Sequence, residues 1–97
     1  MEVKIKAIHF DASAKLESFI NRKLEKLARR NEEVEKVEVN LKVIKPESAM
    51  NKEAGIKVEV PQRADLFAGK VADTFEEAVD LAVDALKKQL EKLDKAK

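Results

Sequence analysis

The sequence predicts an α+β domain in the order strand, helix, strand, strand, strand, helix, with both helices on one face of a four-stranded sheet. Three observations carry this. Apolar residues alternate with polar ones in three stretches, they recur at three- and four-residue steps in two long ones, and only two Gly and two Pro interrupt the 97 residues. An apolar share of 44% is enough for one core, and no repeat or composition break supports a second domain, so residues 1–97 are expected to fold as one unit.

The first strand is predicted over Val3 to Phe10, where Val3, Ile5 and Ala7 alternate with Lys4 and Lys6. From about Ala12 to Arg30, Leu16, Phe19, Ile20, Leu24 and Leu27 follow helical spacing, with Asp11 or Ser13 as candidate cap. Val37, Val39, Leu41 and Val43 against Glu38, Asn40 and Lys42 give a clean period of two. A polar connection, Lys45 to Glu53, leads to a third strand at Ile56, Val58 and Val60 and implies a hairpin with a long loop. After a turn at Pro61 to Asp65, a weaker strand is expected at Leu66 to Ala72, in which Gly69 marks a bulge or a close approach. Thr74-Phe75-Glu76-Glu77 reads as a capping box, and Phe75, Val79, Ala82, Val83, Leu86, Leu90 and Leu93 carry a second helix nearly to the end, with Lys95 to Lys97 expected to fray. Short connections reverse each element relative to its predecessor. Both helices then follow strands pointing the same way, run parallel, and end together.

Twenty Lys and Arg against 19 Asp and Glu leave a net charge of +1, which is not the bulk basicity of an unselective nucleic-acid binder. The charge is nevertheless sorted. At roughly 100° per residue, the first helix gathers Lys15, Arg22, Lys26 and Arg29 on one flank and Glu17, Asn21 and Glu25 on the other. Lys23 and Arg30 lie nearer the apolar stripe, with stems that cross its edge. In the second helix Lys88, Lys92 and Lys95 share a flank, opposite Glu76, Asp80, Asp84, Glu91 and Asp94, with Lys87 among the acids. Arg22 to Arg30 holds five bases and one acid, and Lys87 to Lys97 five and two, so both clusters lie toward helix C-termini. The macrodipole alone favours that axial bias by a few tenths of a kcal/mol per charge. Flank and axial sorting together, in both helices, point further, to a polyphosphate partner at one end of the domain.

Absences narrow the function. Without Cys and with one His, the chain offers no disulfide, thiolate zinc site, cysteine nucleophile or multi-histidine metal site. His9 lacks a Ser, Cys or second His partner and reads as structural, and the pairs Glu32/Glu33 and Glu76/Glu77 read as solvated surface rather than acid/base dyads. Gly55 and Gly69 alone make no phosphate loop. No catalytic residue, metal, cofactor or small-molecule substrate is expected. No apolar run is long enough to span a bilayer and no signal-peptide pattern opens the chain, so a cytoplasmic protein without a membrane partner is expected. There is no Trp or Tyr; of four Phe, Phe19 and Phe75 fit the core stripes, leaving Phe10 and Phe67 as exceptions. The expected recognition is therefore of phosphate and shape in structured RNA rather than of individual bases.

The order of elements, the helix LESFINRKLEKL from Leu16 to Leu27, and the closing EAVDLAVDALKKQLEK from Glu77 to Lys92 together resemble the ribosome hibernation promoting factor and ribosome-associated inhibitor family. The stretch from Lys45 to Lys57 is similar to short members of it. The resemblance covers almost the whole chain. It implies a double-stranded-RNA-binding-domain-like fold and a stationary-phase or stress factor. Such a factor occupies the mRNA and tRNA channel of the small ribosomal subunit, against its rRNA, and inhibits translation by occupancy. By position it assigns RNA contacts to Lys23, Lys26, Lys88 and Lys92. The charge geometry adds Arg22, Arg29, Arg30 and Lys87. Ala85 stands where relatives often carry Lys, and Leu93 and Asp94 interrupt the second basic run, so that patch is expected to be the weaker. Long members carry a further C-terminal domain that pairs ribosomes; dimerisation by that route is not expected here, and the free protein is expected to be monomeric. The rival reading is a protein-interaction or oligomerisation module that uses a sheet face or edge strand.

Overall fold

The computed structural model describes residues 1–45, 47 and 49–95. Its elements are β1 (Glu2–Ala7), α1 (Ala14–Arg30), β2 (Lys36–Val43), β3 (Lys52–Glu59), β4 (Leu66–Ala72) and α2 (Phe75–Lys95), the predicted order. The sheet order follows the chain, β1-β2-β3-β4. β1 and β2 are parallel, so α1 is their crossover helix, while β3 is antiparallel to both β2 and β4.

The ends of the elements follow local chemistry. Ser13 caps α1 by accepting the Leu16 N–H at 3.1 Å, which settles the choice between Asp11 and Ser13. Thr74 does the same for α2 through the Glu77 N–H at 3.1 Å. β1 stops at Ala7, short of the predicted Phe10, because His9 takes a left-handed φ of 66° that no strand continues through. β3 starts at Lys52, four residues before Ile56, because the ladder with β2 runs on to Val43 and Lys52 and is closed by Ile44 N–H to Asn51 O at 2.8 Å. Polar Lys52 and Glu53 hid that extension. Pro46 and Ser48 of the connection, and Ala96 and Lys97 of the terminus expected to fray, lie outside the described residues.

One layer lies on one layer, as predicted. Leu16, Ile20, Leu24 and Leu27 of α1 and Ala78, Val79, Ala82, Val83, Leu86 and Leu90 of α2 are buried against Val37, Val39, Leu41, Ala54, Ile56, Val58, Ala68 and Ala72 of the sheet. Each fully buried Leu or Ile contributes about 1.5–3 kcal/mol of transfer free energy. α2 packs on β3 and β4 and beside α1. Phe10 stacks on Phe75 with centroids 5.1 Å apart and so joins the core's margin.

The opposite face of the sheet is open and carries alternating charge. Glu38 on β2 sits between Lys36, at 3.3 Å, and its register partner Lys57, at 3.5 Å. The hydrogen bond from Lys36, then the charge of Lys57, hold the Glu38 carboxyl below its ordinary value of 4.5. The hydrogen bond to Glu38 and its charge raise the Lys36 ammonium above 10.5. A depressed carboxyl stabilises the fold above its ordinary pKa and loses that contribution as pH falls through the lowered value. A raised ammonium stabilises below 10.5 and loses its contribution as pH climbs through the higher value. Glu38→Gln is therefore expected to flatten the fall in melting temperature below about pH 4.5 and above about pH 10.5 relative to wild type. Thermal melts across pH for the two proteins check this, and superimposable acid limbs would show that the triad contributes nothing.

Candidate nucleic-acid interface

Since β1, β2 and β4 point one way and each helix returns against its preceding strand, α1 and α2 run parallel. Contacts between them keep step. Lys23 pairs with Asp80, and seven residues on in each helix Arg30 shares a recess with Lys87. The C-terminal ends of both helices thus lie at one end of the molecule, with Arg29 and Arg30 in the last turn of α1.

The flank of α1 that faces α2 is basic, and the flank of α2 that faces it is mixed. Lys23 is half-buried, ion-paired with Asp80, and its Nζ lies 5.6 Å from the Phe19 ring centroid. Lys87 faces Asp84 at 3.9 Å, one turn earlier in its own helix. Arg22, Lys26, Arg29 and Arg30 are exposed and form no ion pair among the described residues. Two shallow recesses result. One, of about 310 Å³, is lined by Phe19, Arg22, Lys23, Glu25, Lys26 and Arg29. The other, of about 340 Å³, opens between the helix ends and is lined by Lys26, Arg29, Arg30 and Lys87, with no acid among the described lining residues.

Five of the eight sequence-predicted residues, Lys23, Lys26, Arg29, Arg30 and Lys87, therefore border the inter-helix face, and Arg22 lines the recess on α1 beside Lys23 and Lys26. Lys88 and Lys92 are exposed but not among them. Lys88 is turned about 100° and Lys92 about 140° around α2 from Lys87, toward the crest and the side where Gln89 Nε2 donates to the Phe67 carbonyl of β4 at 3.0 Å. The two basic clusters share an end, yet among the described residues only Lys87 carries the second across the groove. Phe19, predicted as core, stands at the boundary and floors the cationic recess; its place at the edge of the apolar stripe was the available signal.

No group of three or more His, Asp or Glu among the described residues is placed to hold a metal ion, and His9 is exposed in its turn. Among the described residues, no helix is long and apolar enough to cross a membrane. The arrangement is suited to gripping an anionic polymer by charge.

Known proteins agree with the expected family. Residues 3–97 match the profile of the family described as Sigma 54 modulation protein / S30EA ribosomal protein. No curated protein sequence matches the chain. Among solved structures, a ribosomal subunit interface protein from Coxiella burnetii superposes with a TM-score of 0.87 at 24% identity, over 100% of both chains. The N-terminal domain of Protein Y from Thermus thermophilus superposes at 0.78 and 22% identity, over 96% of this chain and 99% of that one. At such identities these two establish the fold.

Proposed function

We propose that this chain, which belongs to the Sigma 54 modulation protein / S30EA ribosomal protein family, is a ribosome hibernation factor. It binds the small subunit in the mRNA and tRNA channel and inhibits translation under stress or in stationary phase, in the cytoplasm and without catalysis. The observation that carries the reading is the recess between the helix ends, where Lys26, Arg29, Arg30 and Lys87 converge with no acid among the described lining residues, on a protein whose net charge is only +1. Four cations so placed neutralise successive phosphates of rRNA and release their counterions. Arg22 extends the grip along α1, Lys88 and Lys92 form a second, outward line on α2, and Lys23, tied to Asp80, orients the groove between them. Blocking follows from occupancy. The rival reading as an edge-pairing module loses ground at β4, where Gln89 already occupies the Phe67 carbonyl.

Co-sedimentation with bacterial ribosomes across a salt series, with mRNA and initiator tRNA as competitors, tests this. Binding that weakens steeply with salt and is displaced by the competitors is expected. Absence of association at low salt would overturn the reading.

A further inference from the structure

The sheet face turned away from the helices carries a feature that the helix grip does not use. Phe67, at 59%, is the most exposed large apolar side chain among the described residues. Its ring lies down over the sheet. A Cβ built on Gly55 would meet its Cζ at 3.2 Å, and one on Gly69 would meet its Cε2 at 3.2 Å. These two glycines face each other across β3 and β4 in an unbroken register, so Gly69 marks the close approach of a ring and not a bulge. Neither has a positive φ. Backbone geometry therefore does not call for glycine at either place, and glycine inside a strand is destabilising. What the pair provides is a floor for an exposed aromatic ring.

The floor belongs to a row across the sheet. Gly69 pairs with Gly55, Gly55 with Asn40, and Asn40 with Lys6. Asn40 and Lys6 are exposed. Neighbouring strands lie about 4.8 Å apart, so the backbone positions of Asn40 and Lys6 stand about 5 and 10 Å along the row from Gly55, a spacing on the scale of a nucleotide's base edge and phosphate. Of the acids on this face, Glu2 and Glu38 are engaged by Lys36 and Lys57. Lys4, Lys6 and Lys42 form no ion pair among the described residues, against Glu53 and Glu59. An apolar patch one ring wide is far below the roughly 800 Å² per partner of a stable protein interface. Aromatic ring, side-chain amide and cation in line are the groups that recognise an unpaired base.

We propose that the outer face of the sheet binds one unstacked base of single-stranded RNA, laid on Phe67, with Asn40 at its edge and Lys6 toward its phosphate. The inference rests on the RNA reading above for its partner and adds the opposite face of the domain. With Cα extents of 46 × 23 × 18 Å, the two layers are thin enough for RNA surrounding the helices to reach the sheet.

The test titrates the full chain with a single-stranded hexaadenylate, followed by amide and ring NMR shifts, for wild type, Phe67→Ala, Phe67→Leu and Phe67→Trp, each with a thermal melt as a folding check. Phe67→Ala and Phe67→Leu are expected to weaken binding roughly 5- to 150-fold with an unchanged salt slope. Phe67→Trp is expected to keep affinity and show quenched indole fluorescence. Leucine binding like wild type, shifts confined to α1 and α2, or a Phe67-dependent homodimer would each overturn the proposal. A variant lacking the helix cations separates the two readings. If it still shifts Asn40, Gly55 and Phe67 with hexaadenylate but wild type ignores ribosomes, the sheet site stands and the hibernation reading falls; if hexaadenylate shifts nothing on the sheet while wild type binds ribosomes through the helix cations, the sheet site falls and the hibernation reading stands.

Discussion

Replacing Lys26, Arg29, Arg30 and Lys87 together by alanine is expected to leave the fold intact and to weaken ribosome binding on the order of 10³-fold at 0.1 M salt. The four side chains are exposed, so their removal opens no cavity. Each cation that meets a phosphate adds roughly 0.7–0.9 to the slope of log affinity against log salt. Four contacts therefore add about 3, which is about three decades of affinity between 0.1 and 1 M. The same titration, repeated with the variant, is expected to show a slope lower by about 3 and curves that converge with wild type at high salt. A parallel shift at every salt concentration would mean a folding defect, and no shift would remove these residues from the interface. Asp80→Asn supplies a control of opposite sign. It releases Lys23, and because exposed ion pairs are worth about 0–1 kcal/mol, binding is expected to tighten by at most about 5-fold.

Leu86→Ala is expected to produce the largest loss of stability. Leu86 is fully buried on the face of α2 that lies against the sheet. Truncation leaves a cavity that a two-layer core closes poorly, at about 2–5 kcal/mol. In a chain of this length each kcal/mol lowers the melting temperature by roughly 4–8 °C, so a fall of about 8–40 °C is expected by circular dichroism. Leu81→Ala, on the exposed side of the same helix at 42% exposure, is expected to stay within about 0.5 kcal/mol of wild type. Equal effects at the two positions would mean that α2 does not seat as described. Because Leu86 precedes Lys87, a destabilised variant is also expected to bind ribosomes less well, with its salt slope retained.

The helices and the inner strand faces were legible because their signal is periodic and local. Leu16, Ile20, Leu24 and Leu27 repeat at helical steps, and Val37, Val39 and Leu41 at strand steps, so burial on one face leaves a pattern readable without knowing what covers it. Where polar residues sat in a strand, the pattern failed: Lys52 and Glu53 pair with β2, a long-range contact that no local spacing announces. The first strand was read too long for the converse reason, since apolar Ile8 and Phe10 surround a backbone that turns at His9.

The sequence by itself determined the fold class, the element order, the family, and the sorting of charge along and around each helix. Tertiary structure alone decided which flank faces which. The parallel packing set Asp80 against Lys23 and Lys87 beside Lys26, Arg29 and Arg30, and left Lys88 and Lys92 outside the groove. It also laid Phe67 across Gly55 and Gly69, residues that strand register brings together. The physical reason is common to both cases. Periodicity along a chain fixes the direction of a side chain relative to its own element, whereas its neighbour is fixed by the azimuth and register at which two elements dock, and that depends on the whole core.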